Sequence, residues 1–159
     1  MSVGASLPEL FRSPIFENIS QEKLATLIPL FKLKTFEEGA TIFVENMEGE
    51  SLYLIEKGTI KVSKMIAEGD EQVMVILGPD DVFGEMAVFA GGCRTATARV
   101  AERASMFTLS RDDYDSLAEW DPPLCLQLTR NIISIFSGRV RESQKAYRQM
   151  LLTSVGRQA

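Results

Sequence analysis

Apolar and polar residues change their spacing twice along the chain. Residues 6–29 read as short helices: Leu24, Leu27 and Ile28 share one face, Ser20 stands before them as an N-cap, Pro14 breaks the stretch and Pro29 ends it. From Leu30 to Ser110 the pattern shortens to strands between turn residues. Strands are predicted at Leu30–Phe36, Thr41–Val44, Ser51–Glu56, Thr59–Met65, Gln72–Leu77, Thr95–Val100 and Ser105–Leu109. The breaks fall at Gly39, Asn46 with Gly49, Gly58, Gly69 and the run Gly78-Pro79-Asp80-Asp81. After Ser110 the spacing is helical again. Ser110 with Asp113 resembles a capping box and predicts a helix over Arg111–Glu119, and Asp121 before Pro122 starts another, running to about Leu152.

This pattern predicts a mainly β fold with flanking helices: a β-barrel or jelly roll (a double-stranded β-helix), short N-terminal helices and a long C-terminal helix. The first half of the final helix is apolar on several faces, through Leu124, Leu126, Leu128, Ile132, Ile133, Ile135 and Phe136. The second half narrows to Val140, Tyr147, Met150 and Leu151. Leu126, Ile133, Val140 and Tyr147 recur every seven residues, with Thr129, Phe136, Ser143 and Met150 at the complementary position. Such a stripe serves either dimerisation or packing onto the barrel. Gly138 lowers helix propensity by about 1 kcal/mol relative to alanine, as a hinge or as a tolerated glycine.

Composition narrows the classes of function. At 159 residues and 45% hydrophobic, the chain suits one domain with room for an appendage. It has no histidine, which weighs against a histidine-triad hydrolase and a cupin-type metal enzyme. Cys93 and Cys125 lie far apart without metal-ligand spacing, so no metal and a reduced cytosolic thiol pair are expected. No charged-then-apolar leader and no apolar run near eighteen residues is present, which predicts a cytoplasmic protein without membrane contact. Residues 139–159 carry Arg139, Arg141, Lys145, Arg148 and Arg157 against Glu142, while the rest of the chain is net −9. An acidic body suits neither nucleic acid nor a membrane surface, and the basic tail is expected to be a solvated helix end.

The chemistry concentrates between Phe83 and Val100, F-G-E-M-A-V-F-A-G-G-C-R-T-A-T-A-R-V. Gly84 can take a positive φ and let a ligand approach the backbone. Glu85–Phe89 is long enough for one helical turn whose first N–H groups lack partners and attract an anion. Gly91 and Gly92 turn the chain. Arg94 then offers a charged fork matching two phosphate oxygens, and an ionised Glu85 accepts hydrogen bonds from a sugar hydroxyl. Together these imply a nucleotide held by phosphate and ribose. The plainer reading is that Glu85 caps a helix and pairs with Arg94 in a ligand-free barrel.

The stretch resembles the phosphate-binding cassette of the cyclic nucleotide-binding domain family, whose pattern runs close to F-G-E-[LM]-A-L, about seven residues, then R-[ST/A]-A-T. F-E-E-G-A-T-I-F and S-L-Y-L-I-E-K-G-T-I-K-V resemble that family's barrel, and S-P-I-F-E-N-I-S its entry. Cys93 stands where the family often has proline, and Asp80 where it often has glycine. The resemblance covers about residues 10–150 and implies a single domain over 1–159, with its barrel at about 30–110 and C-terminal helices at about 111–152. It implies a non-enzymatic receptor for cAMP or cGMP and no cofactor beyond that ligand. Arg94 would hold the phosphate, Glu85 the ribose 2′-hydroxyl, and backbone near Met86 and Ala87 would add donors. Met74, Phe83, Gly84, Thr95 and Ala96 would complete the pocket, with Arg139 and Val140 on a helix that closes over the base. A hydroxyl at Thr95 can favour guanine in the family, yet a threonine there also suits an alternating strand. The expected partners are the cyclic nucleotide and either a second copy through the final helix or an unidentified effector protein. The expected module is free-standing, without an effector domain. The alternative is a barrel that no longer responds to nucleotide and serves as an interaction or dimerisation module.

Overall fold

The computed structural model describes residues 12–156, so the part of the N-terminal expectation before Arg12 lies outside the described residues. A 3-10 turn, Pro14–Phe16, leads to helix α1, Gln21–Leu27, and a second 3-10 turn, Ile28–Leu30. Ser20 caps α1, its hydroxyl accepting the Lys23 N–H at 3.3 Å. Leu24, Leu27 and Ile28 are all buried, as their spacing predicts. Pro14 opens its turn, where a first-turn residue needs no N–H donor.

Six strands follow: β1 Lys32–Phe36, β2 Thr41–Phe43, β3 Ser51–Ala67, β4 Asp70–Leu77, β5 Val82–Phe83 and β6 Thr97–Ser110. Between β5 and β6 lies a five-residue helix, α2, Glu85–Phe89. The order is β1-β6-β3-β4, with β2 also on β6 and β5 on β3. The spine is the antiparallel β3–β6 pair, which runs from Ser51 opposite Ser110 to Ser63 opposite Thr97.

The sequence predicts each spine strand as two pieces, and the structure makes each continuous. The cause is local to Gly58 (φ 93°), where the register slips between Ile55 and Ile60. A Cβ there would lie 2.3 Å from the Arg103 carbonyl oxygen. The glycine therefore lets β3 press onto β6 through bulges that bend the strand without ending it. β6 begins at Thr97, so Thr95 and Ala96 lie before the strand. β5, only two residues long, is too short to leave a pattern.

Bending folds the sheet into the jelly roll that the strand pattern predicts. Its interior holds Ile55, Ile60, Leu77, Phe83, Val100 and Met106. A second cluster joins the opposite face of the spine to the helices, through Leu52, Leu54, Phe107 and Leu109 against Ile15, Leu27, Leu117, Leu124, Leu128 and Ile132. Alternate residues of β3 and β6 thus bury on both faces, which explains unbroken apolar runs such as S-L-Y-L-I.

Helix α3, Arg111–Trp120, starts from the expected box: the Ser110 hydroxyl accepts the Asp113 N–H at 3.1 Å. Helix α4, Pro122–Gly156, runs 35 residues, beyond the expected end at Leu152. Asp121 sits at its start, its Oδ1 accepting the Leu124 N–H at 3.3 Å and its Oδ2 the Lys23 ammonium at 2.8 Å. Asn131 ties α4 to the first 3-10 turn by donating to the carbonyls of Ile15 (2.9 Å) and Glu17 (2.7 Å). The buried residues of α4 end at Ile132. The helix passes unbroken through Gly138, where a Cβ would meet nothing within 4 Å, so this glycine is a tolerated one.

Candidate functional site

The site forms where β5 hands over to α2. Gly84 follows β5 with φ 77° and ψ 8°, a left-handed conformation that only glycine adopts readily, and it turns the chain into α2. Past α2, Gly91 (φ 75°) and Gly92 (φ 93°) reverse the chain. The returning segment is pinned to the loop before β3. The Arg94 N–H donates to the Met47 carbonyl at 2.7 Å, the Asn46 N–H to the Arg94 carbonyl at 2.8 Å, and Cys93 bridges Glu48.

These supports carry Arg94 beneath α2, where it is 6% exposed. Its guanidinium donates to the Ser51 carbonyl at 2.8 Å and the Gly84 carbonyl at 3.2 Å, and lies 4.1 Å from the centre of the Phe43 ring. Phe43, Tyr53 and Phe83 form one aromatic group around it, with centroids 5.1–6.0 Å apart. Among the described residues no carboxylate pairs with Arg94, and its Nε has no hydrogen-bond partner. Burial pushes this guanidinium below its ordinary pKa, against the opposing pull of Tyr53 and Glu85. A buried cation without a counter-charge is a standing demand for an anion.

Glu85, also 6% exposed, makes no ion pair or side-chain hydrogen bond among the described residues. It therefore does not form the structural pair with Arg94 that the plainer reading required. Both residues instead line one cavity of about 150 Å³ that opens to solvent.

Most of the expected site residues meet at this cavity: Phe83, Gly84, Glu85, Met86, Ala87, Arg94, Thr95, Ala96 and Arg139. Arg139 reaches it from α4, donating to the Val82 carbonyl, and its Nε is also buried without a partner. Two expected residues are not among the lining. Met74 is 62% exposed; the register of β4 shifts at Val62–Ser63, and Val75 opposite Val62 lines the cavity in its place. Val140 is 38% exposed, because one step along a helix turns a side chain by about 100° from Arg139, and Phe136 lines the cavity from α4 instead. Sequence reasoning also missed Gly49. A Cβ there would lie 2.5 Å from the Ala87 Cβ and 2.6 Å from the Arg94 Nε, so this glycine makes the space in which Arg94 lies.

A jelly roll with a buried cation, an unpaired carboxylate and a helix across one cavity defines a small-ligand-binding module for an anion bearing hydroxyl groups. The chain belongs to the cyclic nucleotide-binding domain family, which it matches over residues 33–121. It is 29% identical over 148 residues to a CRP-like cAMP-activated global transcriptional regulator of Mycobacterium tuberculosis, covering 92% of this chain and 63% of that protein. It is 28% identical over 131 residues to the cyclic AMP receptor protein of Thermus thermophilus, covering 82% and 59%. Among solved structures, a cyclic nucleotide-binding domain from Methylobacillus flagellatus superposes with a TM-score of 0.78 at 25% identity, covering 87% of this chain and 76% of that one. The catabolite activator protein of Thermus thermophilus gives 0.73 at 27% identity, covering 87% and 63%. The chain thus spans less than two-thirds of the curated relatives it matches.

Proposed function

We propose that this chain is a non-enzymatic receptor for a cyclic nucleotide, cAMP or cGMP, and a regulatory module in signal transduction. The observation that carries this reading is the pair Arg94 and Glu85, each 6% exposed, facing one cavity without neutralising each other. Arg94 takes the cyclic phosphate as its counter-charge, with backbone N–H groups near Met86 and Ala87 adding donors. Glu85 accepts from the ribose 2′-hydroxyl. The base lies toward Phe136 and Arg139, so α4 closes the cavity and carries the signal. Ligand shifts that closure only through contacts the open form lacks, and the Arg139 side chain is placed to make them.

The Mycobacterium tuberculosis relative is named a transcriptional regulator, which runs against the expectation of no nucleic-acid partner. With less than two-thirds of the relatives' length matched, their names carry over as far as the cyclic nucleotide and no further. Among the described residues no helix is long and apolar enough to cross a membrane, and no group of metal-ligating side chains is found. We place the protein in the cytoplasm. Its protein partner is a second copy, because the heptad stripe stays exposed: Leu126 51%, Ile133 52%, Val140 38%, Tyr147 60% and Met150 60%.

The test is calorimetric titration with cAMP and cGMP. One of them binds, and Arg94→Ala lowers that affinity about tenfold to a hundredfold, since charge-assisted hydrogen bonds contribute roughly 1.5–3 kcal/mol. Arg94→Lys recovers part of the loss, an ammonium lacking the planar fork. Absence of binding by the parent protein would leave the nucleotide-unresponsive module as the correct reading.

A further inference from the structure

The two cysteines stand in unlike places. Cys125 is 5% exposed on the packed face of α4, whereas Cys93 is exposed and lines the cavity next to Arg94. A thiol alone defines no site. Here the neighbouring Arg94, 6% exposed with its Nε unpartnered among the described residues, brings an uncompensated cation to the same cavity. Arg139 adds a second guanidinium from α4, against the single carboxylate of Glu85, so the cavity lining is net positive. The backbone around the thiol is fixed on both sides. Arg94 N–H donates to Met47, Gly49 N–H donates to the Gly92 carbonyl at 3.3 Å, and Cys93 itself bridges Glu48. A group attached to Cys93 Sγ can therefore reach the space before Arg94 without the loop moving.

We infer that Cys93 is a modification site for an anionic low-molecular-weight disulfide, glutathione disulfide being the probe, and that the adduct and a cyclic nucleotide exclude each other. The exclusion rests on the function proposed above; the modification does not. In the exchange, the Cys93 thiolate attacks one sulfur of the disulfide. A bond forms between Cys93 Sγ and that glutathione, and the original S–S bond breaks. The departing glutathione thiolate takes up the proton that Cys93 released. Cys93 is oxidised, half of the reagent is reduced, and a dithiol reverses the step. The carboxylates of the bound glutathione then supply the anion that Arg94 lacks, which favours this reagent over a cationic one.

The experiment treats the full chain with glutathione disulfide and, in parallel, with cystamine, a cationic disulfide. Mass spectrometry of peptides follows each cysteine, and each rate is divided by that reagent's rate with 2-mercaptoethanol. Cys93 takes the adduct and Cys125 does not. The normalised rate is several-fold higher for glutathione disulfide, and the preference shrinks at high salt. The saturating cyclic nucleotide slows modification at least about tenfold. The adduct lowers nucleotide affinity at least about tenfold, dithiothreitol restores it, and Cys93→Ser protein gives one affinity with and without the disulfide. An unreactive Cys93, or a preference for cystamine, overturns the modification site. Undiminished affinity in the adduct overturns the exclusion. If the untreated protein bound neither cyclic nucleotide, the proposed function and the exclusion would both fall, while the paired disulfides would still decide the modification.

Discussion

A ligand without its 2′-hydroxyl separates two roles for Glu85. If Glu85 accepts from the ribose, Glu85→Ala weakens the parent nucleotide about tenfold or more and barely changes binding of the 2′-deoxy analogue, a cycle between protein and ligand. Equal losses for both ligands would make Glu85 a support of the loop. Gly49 gives a second test at this scale. Gly49→Ala sets a methyl 2.5 Å from the Ala87 Cβ, which is fixed to its backbone, and 2.6 Å from the Arg94 Nε. Overpacking of this kind costs roughly 1–3 kcal/mol, so both melting temperature and nucleotide affinity fall. A variant with the parent's melting point and affinity would show that Arg94 can be displaced freely. Gly84, Glu85 and Arg94 are legible in the sequence because a turn glycine, a carboxylate and a guanidinium crowd into one short segment. Gly49, Val75 and Phe136 are common types from distant segments, gathered only by strand pairing and helix docking. Met74, expected from the family resemblance, is off the lining because the irregularity of pairing between Val62 and Ser63 brings Val75 there instead.

Capping at the element scale ties two helices through one carboxylate. The hydrogen bond from Lys23, foremost, holds the Asp121 carboxyl below the usual carboxylate range, aided by the Leu124 N–H and opposed by burial. The same contact raises Lys23 above its ordinary value. A carboxyl with a depressed folded pKa adds stability above its unfolded value, about 4, and loses it as pH falls through the folded value. Asp121→Asn keeps an acceptor for Leu124 and removes the charge. Its melting temperature lies below the parent's at about pH 7, and the gap narrows as pH drops from about 5 to about 3. A gap constant across that window would show that the charge adds nothing. Elements with local punctuation, such as α1 after Ser20, α3 after Ser110 and α4 after Asp121, were readable because caps are local chemistry. The continuity of β3 and β6 was not, since a glycine at a bulge and a glycine at a turn look alike until a partner strand arrives.

Seen whole, the molecule is a barrel with a helix that outruns it. Every buried residue of α4 precedes Ser137, so a chain ending there keeps both apolar clusters and folds. It lacks Arg139 at the cavity and Val140, Tyr147 and Met150 on the stripe. Ultracentrifugation then shows a monomer where the full chain is a dimer, and titration shows weaker nucleotide binding. A dimer that survives this truncation would move the interface off α4, and unchanged affinity would deny the helix its role as a lid. The tether at Asn131 and the unbroken course through Gly138 give the helix a mechanical meaning. If α4 closes over the ligand as proposed, its stretch from Ile132 to Gly156 is a stiff lever about 36 Å long, with its pivot close to the cavity mouth that Phe136 and Arg139 line. A tilt of about 5° at that pivot, the scale of a side-chain adjustment, sweeps the far end by about 3 Å. The ligand need move very little for the tip to travel far, and the gain is set by helix length alone.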